Sequence, residues 1–220
     1  MERVEQLRLL KGLINHLDLN TNINAGGIIK TPADTYISEE RFDREWNTFF
    51  LNHPQIIGLS GDLPKPNSFV TTEDFGVPIL AVRDDTGEFK AYANVCPHRG
   101  VTIESSRKGE KSKFSCPFHG WTFNNEGNLI GYPKKEQFGE IDKDCYGLKE
   151  LPAIEKFGFL WVHPKRDGNI DLDELLGKEL QAEFDAWNFQ SLVFANEDLY
   201  FTDMNWKLAI DTFGETYHFS

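Results

Sequence analysis

The sequence predicts an α+β protein in three successive parts. Residues 1–54 read as a helical segment, 55–165 as an all-β module, and 166–220 as the beginning of a further α+β domain. Three observations lead there. Before residue 50, large apolar side chains recur every third or fourth position, the helical period. From about Gln55 the texture changes to short apolar runs divided by Gly, Asn and Asp turn signals, the pattern of strands and hairpins. After residue 170 the helical spacing returns.

The elements follow in order. Val4, Leu7, Leu10, Ile14 and Leu17 make residues 2–18 an amphipathic helix, and Asn20 to Gly27 reads as a loop. A second helix opens at Ser38, with Glu39 and Glu40 well placed in its first turn and Phe42, Trp46, Phe49 and Phe50 as its buried face. Residues 77–83 and 88–94 flank Asp84-Asp85-Thr86-Gly87 as a hairpin, and 121–124 and 128–131 flank Asn125-Glu126-Gly127 in the same way. The continuous apolar run from Phe157 to Val162 is a buried strand. Residues 171–188 are helical, with Leu172, Leu175, Leu176, Leu180 and Phe184 on one side. Residues 191–202 resemble a strand, and a last helix runs from an Asn205 N-cap to the end of the sequence.

Composition narrows the function. The chain has 220 residues, of which 40% are hydrophobic and 26% charged, as in an ordinary soluble domain. Its 18 Phe and 5 Trp suit closely packed sheets. A formal charge of −12 argues against nucleic-acid or anionic-membrane partners, which need a cationic footprint. The N-terminal residues lack the apolar core of a secretory leader, and no apolar run approaches a membrane span, so the expectation is a cytoplasmic protein. Three cysteines are too few for a disulfide framework. Cys145, with no basic cluster near it in sequence, reads as an ordinary thiol.

The other two cysteines carry the strongest signal. Cys96-Pro97-His98-Arg99-Gly100 and Cys116-Pro117-Phe118-His119-Gly120-Trp121 form C-x-H, then 17 residues, then C-x-x-H. Each loop offers one thiolate and one imidazole. That is the donor set of a [2Fe–2S] cluster in which two His replace two Cys on one iron, so Cys96, His98, Cys116 and His119 are its expected ligands. Neutral imidazoles leave such a cluster less negative than four thiolates would, and easier to reduce. Pro97 and Pro117 stiffen the loops, while Gly100 and Gly120 let backbone N–H groups approach the sulfurs. Arg99 and Trp121 are candidate packing residues around the site. The rival is a Cys₂His₂ zinc site, but zinc spacings usually pair two Cys in one knuckle and two His on a helix.

Near the C-terminus, Asp211, Glu215 and His218 fall on one stripe of the expected last helix, since i, i+3 and i, i+4 positions share a face. An acid and a histidine so placed suit an iron site. They also suit half of a di-iron bundle, for which nothing else in the chain supplies the second half, or simply a solvated face.

Taken together and in this order, the CPHRG and CPFHGWTF loops, the FGFLWV strand and the NWK…E-x-x-H segment resemble the large (α) subunit of Rieske non-haem iron oxygenases, the ring-hydroxylating family. The resemblance begins near residue 38 and implies a Rieske domain followed by the truncated start of a helix-grip-like catalytic domain. It also implies that His218 is the first histidine of a 2-His-1-carboxylate triad holding a mononuclear Fe(II). The family's second iron histidine and its carboxylate lie beyond Ser220, so the iron site is expected to be incomplete in this chain. By position, Glu215 takes the family's acidic link between the cluster of one subunit and the iron of its neighbour. Many members have Asp there, and the longer Glu resembles some members acting on quaternary amines. Asp211 takes a place often held by Asn, in a supporting role.

The activity so implied is that of a terminal oxygenase component. Electrons arrive from a ferredoxin or flavin reductase, pass through the cluster and Glu215, and serve O₂ activation against a small organic substrate, aromatic in the ring-hydroxylating members. Hydroxylation and oxidative demethylation both occur in the family, as dioxygenase or monooxygenase chemistry, and a homotrimer or α₃β₃ assembly follows from the electron path between subunits. The main alternative is a Rieske-type ferredoxin that only carries electrons, which leaves the lead-in and the NWK…His218 segment without purpose.

Overall fold

The computed structural model describes residues 1–23, 26–139 and 141–215. They form two compact units: one drawn from the two ends of the chain, through Phe42 and from Phe201, and one made of Asp43–Tyr200. In the first, α1 (Arg3–Leu19) forms where the apolar spacing predicts. It closes on Asn20, whose left-handed backbone (φ 50) lets its N–H and that of Thr21 reach the carbonyls of Leu17 and His16. The stripe of Val4, Leu7, Leu10, Ile14 and Leu17 stays exposed. A single turn, α2 (Asp34–Ile37), precedes Ser38.

Ser38 then behaves as a cap: its Oγ accepts the Arg41 N–H at 3.2 Å and opens α3 (Glu39–Glu45). The helix widens into a π turn at Trp46–Phe50. A π turn has a smaller angular step per residue than an α turn, which shifts later side chains off the expected face. Trp46 and Phe50 are half-buried, while Phe49 is 51% exposed instead of joining them.

The second unit is all-β at its centre. Its strands are β1 (Gln55–Leu59), β2 (Ser68–Thr72), β3 (Ile79–Arg83), β4 (Phe89–Ala93), β5 (Lys108–Glu110), β6 (Lys113–Ser115), β7 (Thr122–Asn124), β8 (Leu129–Gly131), β9 (Glu150–Leu151), β10 (Ala153–Lys156) and β11 (Phe159–Val162). A five-stranded sheet, β5-β2-β3-β4-β9, has one three-stranded sheet on each side of it in the order of packing: β1-β11-β10 and β6-β7-β8. Both expected hairpins form: Arg83 pairs with Phe89 across the first turn, and Phe123 with Leu129 across the second.

Two cores follow from the alternation of side chains. On β3, Ile79 and Ala81 point into one core with Val70, Leu160 and Val162; Leu80 and Val82 point into the other with Phe69, Phe114, Trp121 and Phe123. A strand buried on both faces needs an unbroken apolar run, which is what Ile79-Leu80-Ala81-Val82 supplies. The FGFLWV run behaves similarly: β11 lies between β1 and β10, and its Leu160, Trp161 and Val162 are buried.

A short α4 (Lys135–Phe138) follows β8, and α5 (Leu172–Trp187) begins at the Asp171 cap, whose carboxylate accepts the N–H groups of Asp173 and Glu174. Of the apolar side chains expected on its inner side, Leu172 is buried and Leu176 and Phe184 are half-buried, but Leu175 and Leu180 are exposed. Gly177 (φ 62) breaks the helical geometry between them and changes the face. Residues 191–202 form no strand. They are held by side chains: the Lys108 ammonium sits 3.4 Å over the Phe194 ring, and Arg107 pairs with Glu197 at 2.6 Å. Among the described residues no helix is long and apolar enough to cross a membrane.

Candidate metal centre

The two loops grow out of the second unit with the same backbone plan. In the first, after β4, the Cys96 N–H donates to the Val101 carbonyl at 2.8 Å and the Gly100 N–H donates back to the Cys96 carbonyl at 2.8 Å. In the second, between β6 and β7, the Cys116 N–H donates to Trp121 at 2.8 Å and the Gly120 N–H to Cys116 at 2.9 Å. Each tight loop turns on a glycine in the left-handed region, Gly100 at φ 76 and Gly120 at φ 70. At Gly120 a Cβ would also come within 3.1 Å of Pro133.

This plan sorts the donors. Cys96 and Cys116 point inward, 2% and 3% exposed, and form part of the same apolar core as Phe69 and Phe123. Both are free thiols. His98 and His119 meet at the rim with ring centroids 4.8 Å apart. Among the described residues, no three His, Cys, Asp or Glu side chains gather as a single metal ion requires. The four donors come as a sulfur pair in the core and a nitrogen pair at the rim, the split that a [2Fe–2S] group with Cys₂ on one iron and His₂ on the other requires.

Burial dominates the electrostatics of the site. Burial and the neighbouring Cys116 thiol push the Cys96 thiol up, while the N–H groups of His98 and Arg99 donate to its sulfur and oppose that shift. Burial, with the adjacent His119 and Arg99, pushes His98 down and favours the neutral imidazole, the form that ligates. Trp121 is 2% exposed and lies flat on His98, with centroids 5.0 Å apart and planes 4° apart. Phe138 approaches His98 edge-on at 6.0 Å. The indole Nε1 of Trp121 is buried and has no hydrogen-bond partner among the described residues. Inward thiols, neutral imidazoles, amides on sulfur and an orphaned donor fit a [2Fe–2S] group.

Sequence reasoning finds the loops but not what fixes them. Asn94, 1% exposed, donates through Nδ2 to the Glu104 carbonyl at 2.7 Å and accepts the Glu104 N–H at 3.0 Å, tying the two ends of the first loop together. A polar residue ending an apolar strand is the only signal for it. Phe118, between Cys116 and His119, is 56% exposed with its ring 3.8 Å from that of His119.

The C-terminal trio departs from the expected helical stripe. Asn205 does cap α6 (Trp206–Gly214), accepting the Lys207 N–H at 3.1 Å. The helix stops at Gly214, however, and Glu215 has extended backbone (φ −97, ψ 150). Glu215 therefore does not share a helical face with Asp211, and His218 lies outside the described residues. Asp211 accepts a hydrogen bond from the Tyr36 hydroxyl at 2.7 Å, and the Asn205 amide donates to the Tyr36 carbonyl at 3.0 Å. His163 is buried away from the loops' four donors in the chain's own hydrogen bonding, its Nδ1 accepting the Lys165 N–H, and the exposed Cys145 thiol is pushed up by Asp142.

Comparison with known proteins agrees with the geometry. Residues 53–153 match the Rieske [2Fe–2S] domain. Toluate 1,2-dioxygenase subunit alpha of Pseudomonas putida is 30% identical over 202 residues, spanning 88% of this chain and 44% of its own length. The carnitine monooxygenase oxygenase subunit of Acinetobacter baumannii is 28% identical over 187 residues, 85% of this chain and 50% of its own. Among solved structures, the quaternary ammonium Rieske monooxygenase CntA superposes with a TM-score of 0.76 at 26% identity, over 86% of this chain and 53% of that one. A naphthalene 1,2-dioxygenase gives 0.59 at 31% identity, over 64% and 32%. The chain thus spans about half the length of the relatives it matches. Residues 53–153 therefore carry a Rieske [2Fe–2S] domain, and most of the chain is homologous to Rieske oxygenase α subunits.

Proposed function

We propose that the chain serves as the electron-receiving part of a terminal oxygenase component, with Cys96, His98, Cys116 and His119 holding the [2Fe–2S] cluster and residues 55–165 acting as its module. The observation that carries the reading is the matched pair of loops, which sends both thiols into the core and both imidazoles to the rim. When bound, the cluster supplies a one-electron store, and a mononuclear iron supplies O₂ activation. The chain's own residues set the conditions. The buried thiols exclude water from the sulfur end, and the rim position of His98 and His119 leaves the imidazole end open to a redox partner, a ferredoxin or flavin reductase. Residues 166–220 begin the iron domain, with His218 as a ligand, Glu215 as the link from a neighbouring subunit's cluster in a trimer, and Asp211 in support.

For the substrate, two classes compete: aromatic acids and quaternary amines. The backbone superposes better on CntA, with a TM-score of 0.76, than on naphthalene dioxygenase, with 0.59, and this favours a quaternary amine. The test uses protein in which the iron domain is complete and iron analysis shows a third iron per chain: reduced protein is mixed with O₂ and, separately, a benzoate and a trimethylammonium compound. Product from either supports the oxygenase reading. Glu215→Gln should keep the cluster's EPR signal and stop product formation. A protein that is reduced and reoxidised without any product would be an electron carrier instead.

A further inference from the structure

Trp121 is more fully built into the site than packing requires. Its indole stacks on His98 at 5.0 Å with planes 4° apart, and it is flanked by Tyr132, Phe138 and Tyr146 at 5.8, 5.9 and 5.5 Å. This aromatic collar encloses a side chain that is 2% exposed. Its one polar atom, Nε1, can only donate, and it meets no acceptor among the described residues. A buried donor left unpaired is costly, so native structures seldom keep one without a use for it. The contrast within the fold is direct: Trp161, also buried, donates its Nε1–H to the Lys156 carbonyl at 3.2 Å.

We propose that Trp121 is a tuning and positioning residue for the cluster. Its ring fixes the plane of His98, and its Nε1–H donates a hydrogen bond to the bound [2Fe–2S] group. This rests on the ligand assignment above. The indole lies face to face with an expected ligand, and none of the described groups, the flanking Tyr132 and Tyr146 hydroxyls included, accepts its N–H, so the partner assigned to it is cluster sulfur. A hydrogen bond to cluster sulfur stabilises the reduced, more negative form, so Trp121 raises the reduction potential. The stack explains why a Trp stands there rather than a smaller donor: only a flat, two-ring side chain covers His98 and still carries an N–H.

The experiment replaces the donor without replacing the ring. Trp121 is exchanged for benzothienylalanine, in which sulfur stands in place of the indole N–H, and in parallel Trp121→Phe is made. Iron and labile sulfide are counted first, and then the midpoint potential of the loaded protein is measured by redox titration followed by EPR. The expected result is an intact cluster in the benzothienylalanine protein whose reduction is at least tenfold less favourable, a fall of about 59 mV for a one-electron couple. Trp121→Phe should fall as far and should also broaden the EPR signal as His98 loses its stacked face. An unchanged potential with full cluster content in the benzothienylalanine protein would overturn the proposal and leave Trp121 a packing residue. A wild-type protein without iron and sulfide would instead overturn the ligand assignment, which keeps the two failures apart.

Discussion

The hairpin turn at Gly127 is where the sheet carrying the second loop docks on the central sheet. Gly127 has φ 80, and a Cβ built there would lie 2.5 Å from Cε1 of Tyr92, with Cζ and Cδ1 at 3.0 and 3.1 Å. The turn cannot back away. Its carbonyl accepts the Leu148 N–H at 2.8 Å, and the Tyr92 hydroxyl donates to the Asn125 carbonyl at 3.2 Å. Gly87 is a built-in control: it closes the other hairpin at φ 88, with nothing within 4 Å of its Cβ position. Gly87→Ala should therefore cost only the left-handed backbone penalty, about 1–2 kcal/mol, less the small gain from a stiffer unfolded chain. Gly127→Ala adds overpacking against Tyr92, roughly 1–3 kcal/mol more. Urea unfolding of both cluster-loaded variants at pH 7, followed by tryptophan fluorescence, gives the difference. Gly127→Ala should also purify with less iron per chain, because β7 begins at the end of the Cys116 loop. Equal costs for the two variants, with equal iron, would refute this account of the docking.

Further predictions concern residues away from the loops. Asp84 is buried, which opposes its ionisation, but hydrogen bonds from Thr86, the Glu88 N–H and the Lys90 ammonium at 2.9 Å outweigh burial and lower its carboxyl from 3.8 to about 2. A carboxyl lowered on folding stabilises above its unfolded value and loses that contribution as pH falls through its folded value. Asp84→Asn should thus cost about 2 kcal/mol at pH 7, and the gap to wild type should close between pH 4 and 2, as read by thermal melts across that range. Cys145→Ser should leave iron content and stability within about 0.5 kcal/mol of wild type, since the thiol is exposed and not a ligand. Loss of cluster on that change would make Cys145 a third cysteine of the site and contradict the assignment.

How much was legible depends on whether the controlling contact is local. Asp-Asp-Thr-Gly and Asn-Glu-Gly announce both hairpins because the glycine's positive φ is a local requirement, met at Gly87 and Gly127. The metal loops are legible for the same reason: each closes on itself through hydrogen bonds within six residues, from Cys96 to Val101 and from Cys116 to Trp121. Residues 191–202 misled because a strand is made by its partner. Apolar and aromatic side chains of the strand type are present, from Leu192 to Phe194 and from Leu199 to Phe201, but their backbone meets no ladder, and the segment is fastened through Phe194 and Glu197 instead. The helical stripe of Asp211 and Glu215 failed at Gly214, a stop signal visible in the sequence and outvoted there by the spacing of the acids. The Tyr36–Asp211 bond, 175 positions apart in sequence, had no local trace at all.

The central claim is that the four loop donors hold a [2Fe–2S] cluster. Anaerobic iron, zinc and acid-labile sulfide analysis of the purified protein, with EPR after dithionite reduction, tests it most directly. The account predicts two irons and two sulfides per chain, the low average g value of mixed Cys/His ligation, and loss of both on His98→Ala or Cys116→Ala. Zinc without sulfide, and no EPR signal, would contradict it and leave a structural domain.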